Sequence, residues 1–131
     1  MRAADTDVGL EDIGFESANL LNRLDLMADE TLDHLKFGII RFDKTDKVIF
    51  YNKTESQASL LPLTKVLGRN FFATVAPCMN NYMVATRFEI EPELDAVIDY
   101  VLTLRMPPTP VKMRLLASQS SPNRYVVIKW L

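Results

Sequence analysis

Cysteine and histidine are almost absent: there is one of each, Cys78 and His34, in 131 residues. A lone cysteine cannot close an internal disulfide, and one cysteine with one histidine cannot build a zinc site. Charge of one sign is also lacking. The formal net charge is −2 and there is no long basic run, so neither nucleic acid nor an anionic membrane surface is called for as a partner. No apolar run approaches the length that spans a bilayer, and Met1 to Val8 is polar and acidic with no apolar signal-like core. The expectation is therefore a cytoplasmic protein that holds no metal. What remains is ordinary for a globular chain: 48% apolar and 24% charged residues, in a length that supports one core but not two.

From Leu10 to Leu35 the pattern is helical. Ile13, Leu20, Leu21, Leu24 and Met27 recur at three- and four-residue intervals, with Phe15 as a further apolar anchor. The pattern breaks at Ala28–Thr31, and Thr31 is placed to cap a second short turn carrying Leu32 and Leu35. His34 falls there among charged residues and reads as a surface residue. Two apolar runs, Phe37–Phe42 and Val48–Asn52, flank the polar link Asp43–Lys47 and read as a β-hairpin. The polar stretch Asn52–Lys65 suits short helical turns, and Gly68 suits the end of one. Pro92 reads as a helix start at Glu93. Ala96–Met106, Val111–Ala117 and Arg124–Leu131 read as three more strands, with prolines 107, 108 and 110 marking a bend or edge and Gln119–Asn123 a turn.

The stretch Asn70 to Cys78 combines apolar surface (Phe71, Phe72, Val75, Ala76) with a proline immediately before the only thiol. A lone cysteine is most simply a small core hydrophobe. Pro77, however, fixes its own φ and pushes Ala76 toward an extended conformation, so Cys78 is presented from a rigid turn. A thiol held in that way suits covalent attachment.

Two strands, several short helices and three strands give an α+β fold with a five-stranded antiparallel sheet. That layout resembles a PAS domain, with short helices on one side and an N-terminal helical cap. More specifically, the chain resembles the photoactive yellow protein family of blue-light receptors. The resemblance rests on Leu32–Gly38, Tyr51–Asn52 with Glu55, Gly68–Phe72, Val75–Cys78, and Met106 with Pro108–Thr109 and Val111–Lys112. It implies a cap over 1–34 and a PAS core over 35–131 within one domain. It also implies a 4-hydroxycinnamic acid (p-coumaric acid) chromophore bound as a thioester to Cys78. Tyr51 and Glu55 are implied to hydrogen-bond its phenolic oxygen, and Ser59 stands where the family has a threonine supporting the tyrosine. Phe71, Val75, Pro77, Tyr100 and Met106 are implied to line the pocket.

The sequence departs from the family at the lid and walls. Leu61 replaces an arginine that closes over the chromophore, Leu102 replaces a phenylalanine, Leu104 and Tyr125 replace larger aromatics, and the loop from Cys78 to Tyr100 is shorter. The implied function is light-driven isomerisation, proton transfer from buried Glu55, and a change in the cap read by a downstream signalling protein, in a monomer or weak homodimer. The other class of reading is a light-independent PAS module that binds another ligand or only a protein partner, with Cys78 a relict. Retention of Tyr51, Glu55 and Cys78 favours the first, and loss of the arginine favours the second. An enzyme is not expected, because no histidine is placed to activate the thiol.

Overall fold

The computed structural model describes residues 13–103 and 107–131. Five strands, β1 (Gly38–Phe42), β2 (Val48–Tyr51), β3 (Leu94–Leu102), β4 (Thr109–Ala117) and β5 (Arg124–Trp130), form one sheet in the order β2-β1-β5-β4-β3. Every neighbouring pair is antiparallel. The β1–β2 link is set by its polar residues. The Asp43 carboxylate accepts from the backbone N–H of Thr45 and Lys47 at 2.8 and 3.1 Å, and Asp46 takes the left-handed conformation at φ 68°, as short polar turn residues can.

Both faces of the sheet are covered. Along β5, Tyr125 and Val127 join Ile13, Phe15, Leu20, Leu21, Leu24 and Leu32 in one core, while Val126 and Ile128 join Tyr51, Phe71, Phe72, Val75, Met79 and Phe88 in another. The first core is roofed by α1 (Leu20–Leu26) and α2 (Asp29–Leu32). The second is roofed by the segment between β2 and β3. That segment runs through α3 (Lys53–Ser59), a 3₁₀ turn (Leu63–Lys65), a π-helical turn (Phe71–Val75), a second 3₁₀ turn (Pro77–Met79) and α4 (Ala85–Ile90).

The cap helices are shorter than the apolar spacing from Leu10 predicts. Asn19 sits in the left-handed region at φ 54°, ψ 37° and stops α1 from extending toward Phe15. Thr31 does not cap the second helix. That helix begins at Asp29 after an extended Ala28, with Asp29 and Glu30 in its first turn, where negative charge suits the helix dipole. Pro92 does not start a helix at Glu93 either. The helix lies before it, its C-cap Glu91 is extended at φ −108°, ψ 101° as a pre-proline residue should be, and β3 begins at Leu94. Pro110 lies inside β4 and is tolerated because its partner is Val101 on β3, while the β4–β5 ladder starts one residue later at Val111. Gly68 has φ 78° and follows the first 3₁₀ turn. Leu104 and Met106 lie outside the described residues.

Candidate functional site

Glu55 is the unusual group. It lies on α3 with no solvent exposure, where an ionised carboxylate is costly unless it is well paired. Space for its side chain comes from β1: a Cβ on Gly38 would stand 1.9 Å from Glu55 Oε1. Oε1 accepts the indole N–H of Trp130, from the end of β5, at 2.9 Å. Oε2 is buried with no hydrogen-bond partner among the described residues. Burial pushes the Glu55 pKa up to about 8, with the Trp130 hydrogen bond pulling the other way. The group is therefore a neutral acid at pH 7, with a proton to donate.

Tyr51 ends β2 and is 2% exposed. Its hydroxyl hydrogen-bonds Ser59 Oγ on the last residue of α3. Burial holds its pKa above the ordinary tyrosine value; the Ser59 bond lowers it, and the charge of Glu55 adds to the rise. Tyr51 and Glu55 do not meet as two positions on one helix, because the helix starts only at Lys53. They are brought together by the turn from strand to helix, which Asn52 holds. Its Oδ1 accepts from Glu55 N at 3.0 Å and Ile39 N at 2.9 Å. Its Nδ2 donates to Leu32 O at 2.9 Å and Phe37 O at 3.1 Å. An N-cap asparagine is readable from sequence; the two bonds from its amide to the cap side are not.

Cys78 is half-buried on the 3₁₀ turn that Pro77 opens. Ala76 has φ −134°, ψ 67°, short of fully extended, because its N–H is drawn to Phe71 O at 2.7 Å to close the π-helical turn. The Cys78 carbonyl is fixed from two sides: the Tyr100 hydroxyl donates to it at 2.5 Å and Asn81 Nδ2 at 3.1 Å. Asn81 Nδ2 also donates to the Tyr100 oxygen at 2.6 Å. Beside the thiol is a cavity of about 290 Å³ lined by Leu61, Val75, Pro77, Cys78 and Thr103. Phe71 is fully buried in a cluster of rings, 5.1 Å from Phe42 and 4.9 Å from Phe72 between centroids. Leu102 is a core residue at 1% exposure. Met106 lies outside the described residues. Tyr125 is not a pocket wall; it faces the cap core on the other side of the sheet.

The structure thus pairs Tyr51 with Ser59 through a buried hydrogen bond, sets Glu55 near enough for its charge to raise the Tyr51 pKa, and places Cys78, Leu61, Val75 and Pro77 around one cavity. Trp130, Asn81 and Thr103 belong to these sites and carry no signal in local spacing. Trp130 is 75 positions from Glu55 and reads only as the end of a strand. The residues fit a 4-hydroxycinnamoyl group: a half-buried thiol beside a cavity, a buried neutral acid with one oxygen unpartnered among the described residues, and a buried phenol whose pKa that acid raises. Among the described residues no cluster of histidine, cysteine or acidic side chains could hold a metal ion, and no helix is long and apolar enough to cross a membrane.

No protein-family model matches the chain. Individual proteins do. The photoactive yellow protein of Halochromatium salexigens is 31% identical over 122 residues, covering 91% of this chain and 98% of the relative. That of Rhodothalassium salexigens is 29% identical over 123 residues, covering 92% and 98%. The crystal structure of the photoactive yellow protein domain from the sensor histidine kinase Ppr of Rhodospirillum centenum superposes with a TM-score of 0.74 at 32% identity, covering 82% of this chain and 97% of that one. A PAS domain of an HTR-like protein from Haloarcula marismortui shares the fold, with a TM-score of 0.63 at 13% identity over 88% of this chain and all of its own. The fold is a PAS fold, and the chain belongs to the photoactive yellow protein family.

Proposed function

We propose that this chain is a blue-light photoreceptor in which Cys78 carries 4-hydroxycinnamic acid as a thioester and Tyr51 and Glu55 hold its phenolic oxygen. The observation that carries this reading is Glu55: a fully buried, neutral acid whose Oε2 has no partner among the described residues. Such an atom is costly unless an acceptor is supplied, and a phenolate oxygen is one. When bound, the chromophore supplies visible absorption and a double bond that light isomerises.

The chain's own residues do the rest. Cys78 gives up its thiol proton and its sulfur bonds the acyl carbon of an activated 4-hydroxycinnamoyl donor, as the bond from that carbon to the donor's leaving group breaks and the leaving group departs with the proton. Ser59, by donating to the Tyr51 oxygen, frees the Tyr51 O–H to point at the ligand; the Tyr51–Ser59 pair permits either direction. Glu55 donates from Oε2 and stays neutral, because ionisation would set two anions side by side. Loss of the Glu55 proton leaves a buried carboxylate on a helix whose N-cap, Asn52, also bonds Leu32 O and Phe37 O. A charge change at the site thereby reaches the cap, which serves as the output element. As in the kinase that carries the Rhodospirillum domain, the recipient is a signalling protein, and the receptor acts in the cytoplasm as a sensor with no catalytic step of its own.

The test is the intact mass and visible spectrum after mixing with an activated 4-hydroxycinnamoyl donor. One acyl group and a visible band are expected for the wild type, and neither for Cys78→Ala. Acylation of wild type and variant alike, with no visible band, would leave the light-independent sensory module as the better reading.

A further inference from the structure

The two oxygens of Glu55 are not equivalent. Oε1 lies between Gly38, whose missing Cβ would overlap it at 1.9 Å, and the Trp130 indole at 2.9 Å. Oε2 has no partner among the described residues. An indole N–H can only donate, and a neutral carboxylic acid has one carbonyl oxygen to accept and one O–H to give. The carbonyl oxygen is the stronger acceptor of the two, so the indole favours the form with the carbonyl at Oε1 and the proton on Oε2. Trp130 is delivered to this spot by strand register. Alternate residues of β5 face the same core as Tyr51, and the last of them, Trp130, pairs with Val111.

We propose that Trp130 is the positioning residue of the Glu55 acid: its indole fixes the proton on Oε2, the oxygen left free for a ligand, and remains on Oε1 to hold the carboxylate after the proton has gone. The proposal rests on the reading of Glu55 as the ligand's proton donor, and it makes the lifetime of the ionised site a property of the C-terminal strand. Among the described residues, three elements bring groups to the carboxyl. The end of β2 brings the Tyr51 phenol, the titratable neighbour whose proton Glu55 influences. β1 brings Gly38, and β5 the indole.

The chain has one tryptophan, so ¹⁵N-labelled, ligand-free protein gives one indole N–H resonance. It is expected to move with pH about a midpoint near 8, the value for Glu55, and to stop moving in Glu55→Gln. Trp130→Phe keeps a ring and loses the donor. It should raise the Glu55 midpoint by about one unit, tenfold in the ionisation constant, and shift the Glu55 carboxyl stretch to higher frequency in the infrared. In acylated protein the light-generated, ionised state should decay about tenfold faster in that variant, following the same ratio. An indole resonance that ignores pH in the wild type, or a Trp130→Phe variant whose Glu55 carboxyl band and midpoint are unchanged, overturns the proposal. Both readouts use unacylated protein. Failure of acylation at Cys78 with the indole titration intact would overturn the photoreceptor reading and leave this one standing.

Discussion

Glu55 ties the folding stability of the ligand-free protein to pH. Its pKa in the folded state is about 8, raised by burial from the model-peptide value of 4.5. Between those values the unfolded chain has released the proton and the folded chain has kept it. Stability therefore falls as pH rises across that window, by at most about 1.4 kcal/mol per pH unit from this group. Above the folded pKa both states are ionised and the contribution levels off. Glu55→Gln removes the titration, so urea unfolding at pH 5 and pH 8 should show the variant gaining on the wild type at the higher pH. Equal differences at both values would mean that Glu55 is solvated. A second residue-scale expectation concerns Leu61, which lines the cavity beside Cys78 and packs against the core. Two charge-assisted hydrogen bonds to a phenolate are each worth roughly twice a neutral one, whereas a charge at a solvent-exposed lid contributes at most about 1 kcal/mol. Leu61→Arg should thus move the phenol pKa of the acylated protein by less than about one unit, read by absorbance titration. A chromophore neutral at pH 7 that turns yellow only in the arginine variant would refute this.

At the scale of elements, the cap is held by polar clamps as well as by its apolar face. Arg114 on β4 is 6% exposed. It forms a bidentate pair with Asp95 on β3, at 2.8 and 2.9 Å, and donates from Nη1 to Phe15 O and Ser17 O at 2.9 and 2.7 Å. A second clamp runs from Arg41 Nε to the Tyr125 hydroxyl at 2.9 Å, which itself donates to Asp25 Oδ1 on α1 at 2.5 Å. Arg114→Met keeps the packed stem and removes the donors, leaving the buried Phe15 carbonyl unpaired. The cap should open more easily by about 2 kcal/mol, seen as faster amide hydrogen exchange over residues 13–26 with β4 and β5 still protected. Uniformly faster exchange across the sheet would place the loss in the core instead.

These clamps also show what the sequence could and could not reveal about the elements. The hairpin, the five strands and the helical interlude were legible, because Asp43–Lys47 and Gln119–Asn123 are turn chemistry between apolar runs. The true start of α2 and the helix before Pro92 were not. Asp29 and Glu30 are weak local signals beside the apparent capping residue Thr31, and a proline marks a helix boundary without saying on which side the helix lies. Tyr51, Glu55 and Cys78 were singled out by their likeness to a family and would have passed as a strand end, a solvated acid and a core thiol. Trp130 and Arg114 meet their partners only through sheet pairing, over separations that no local pattern encodes.

Across the whole molecule, one sheet serves two cores, and this explains why its central strands do not alternate. Leu115 and Leu116, or Val126, Val127 and Ile128, are adjacent and all buried, since each neighbour faces a different core. The edge strand β3 does alternate, with Asp95, Val97 and Asp99 exposed between better-buried residues. Asn52 is the place where the two sides meet. Its four hydrogen bonds join Glu55 and Ile39 to Leu32 and Phe37, so under the proposed function a single amide would take part in two equilibria, ionisation at the site and closure of the cap. Linked equilibria are reciprocal: by whatever factor an ionised Glu55 favours an open cap, an open cap favours ionised Glu55 by the same factor. Under that proposal, a protein that grips the opened cap would be a ligand of the acid as well. It would hold the receptor in its signalling form without touching the chromophore, and set how long a past flash is remembered.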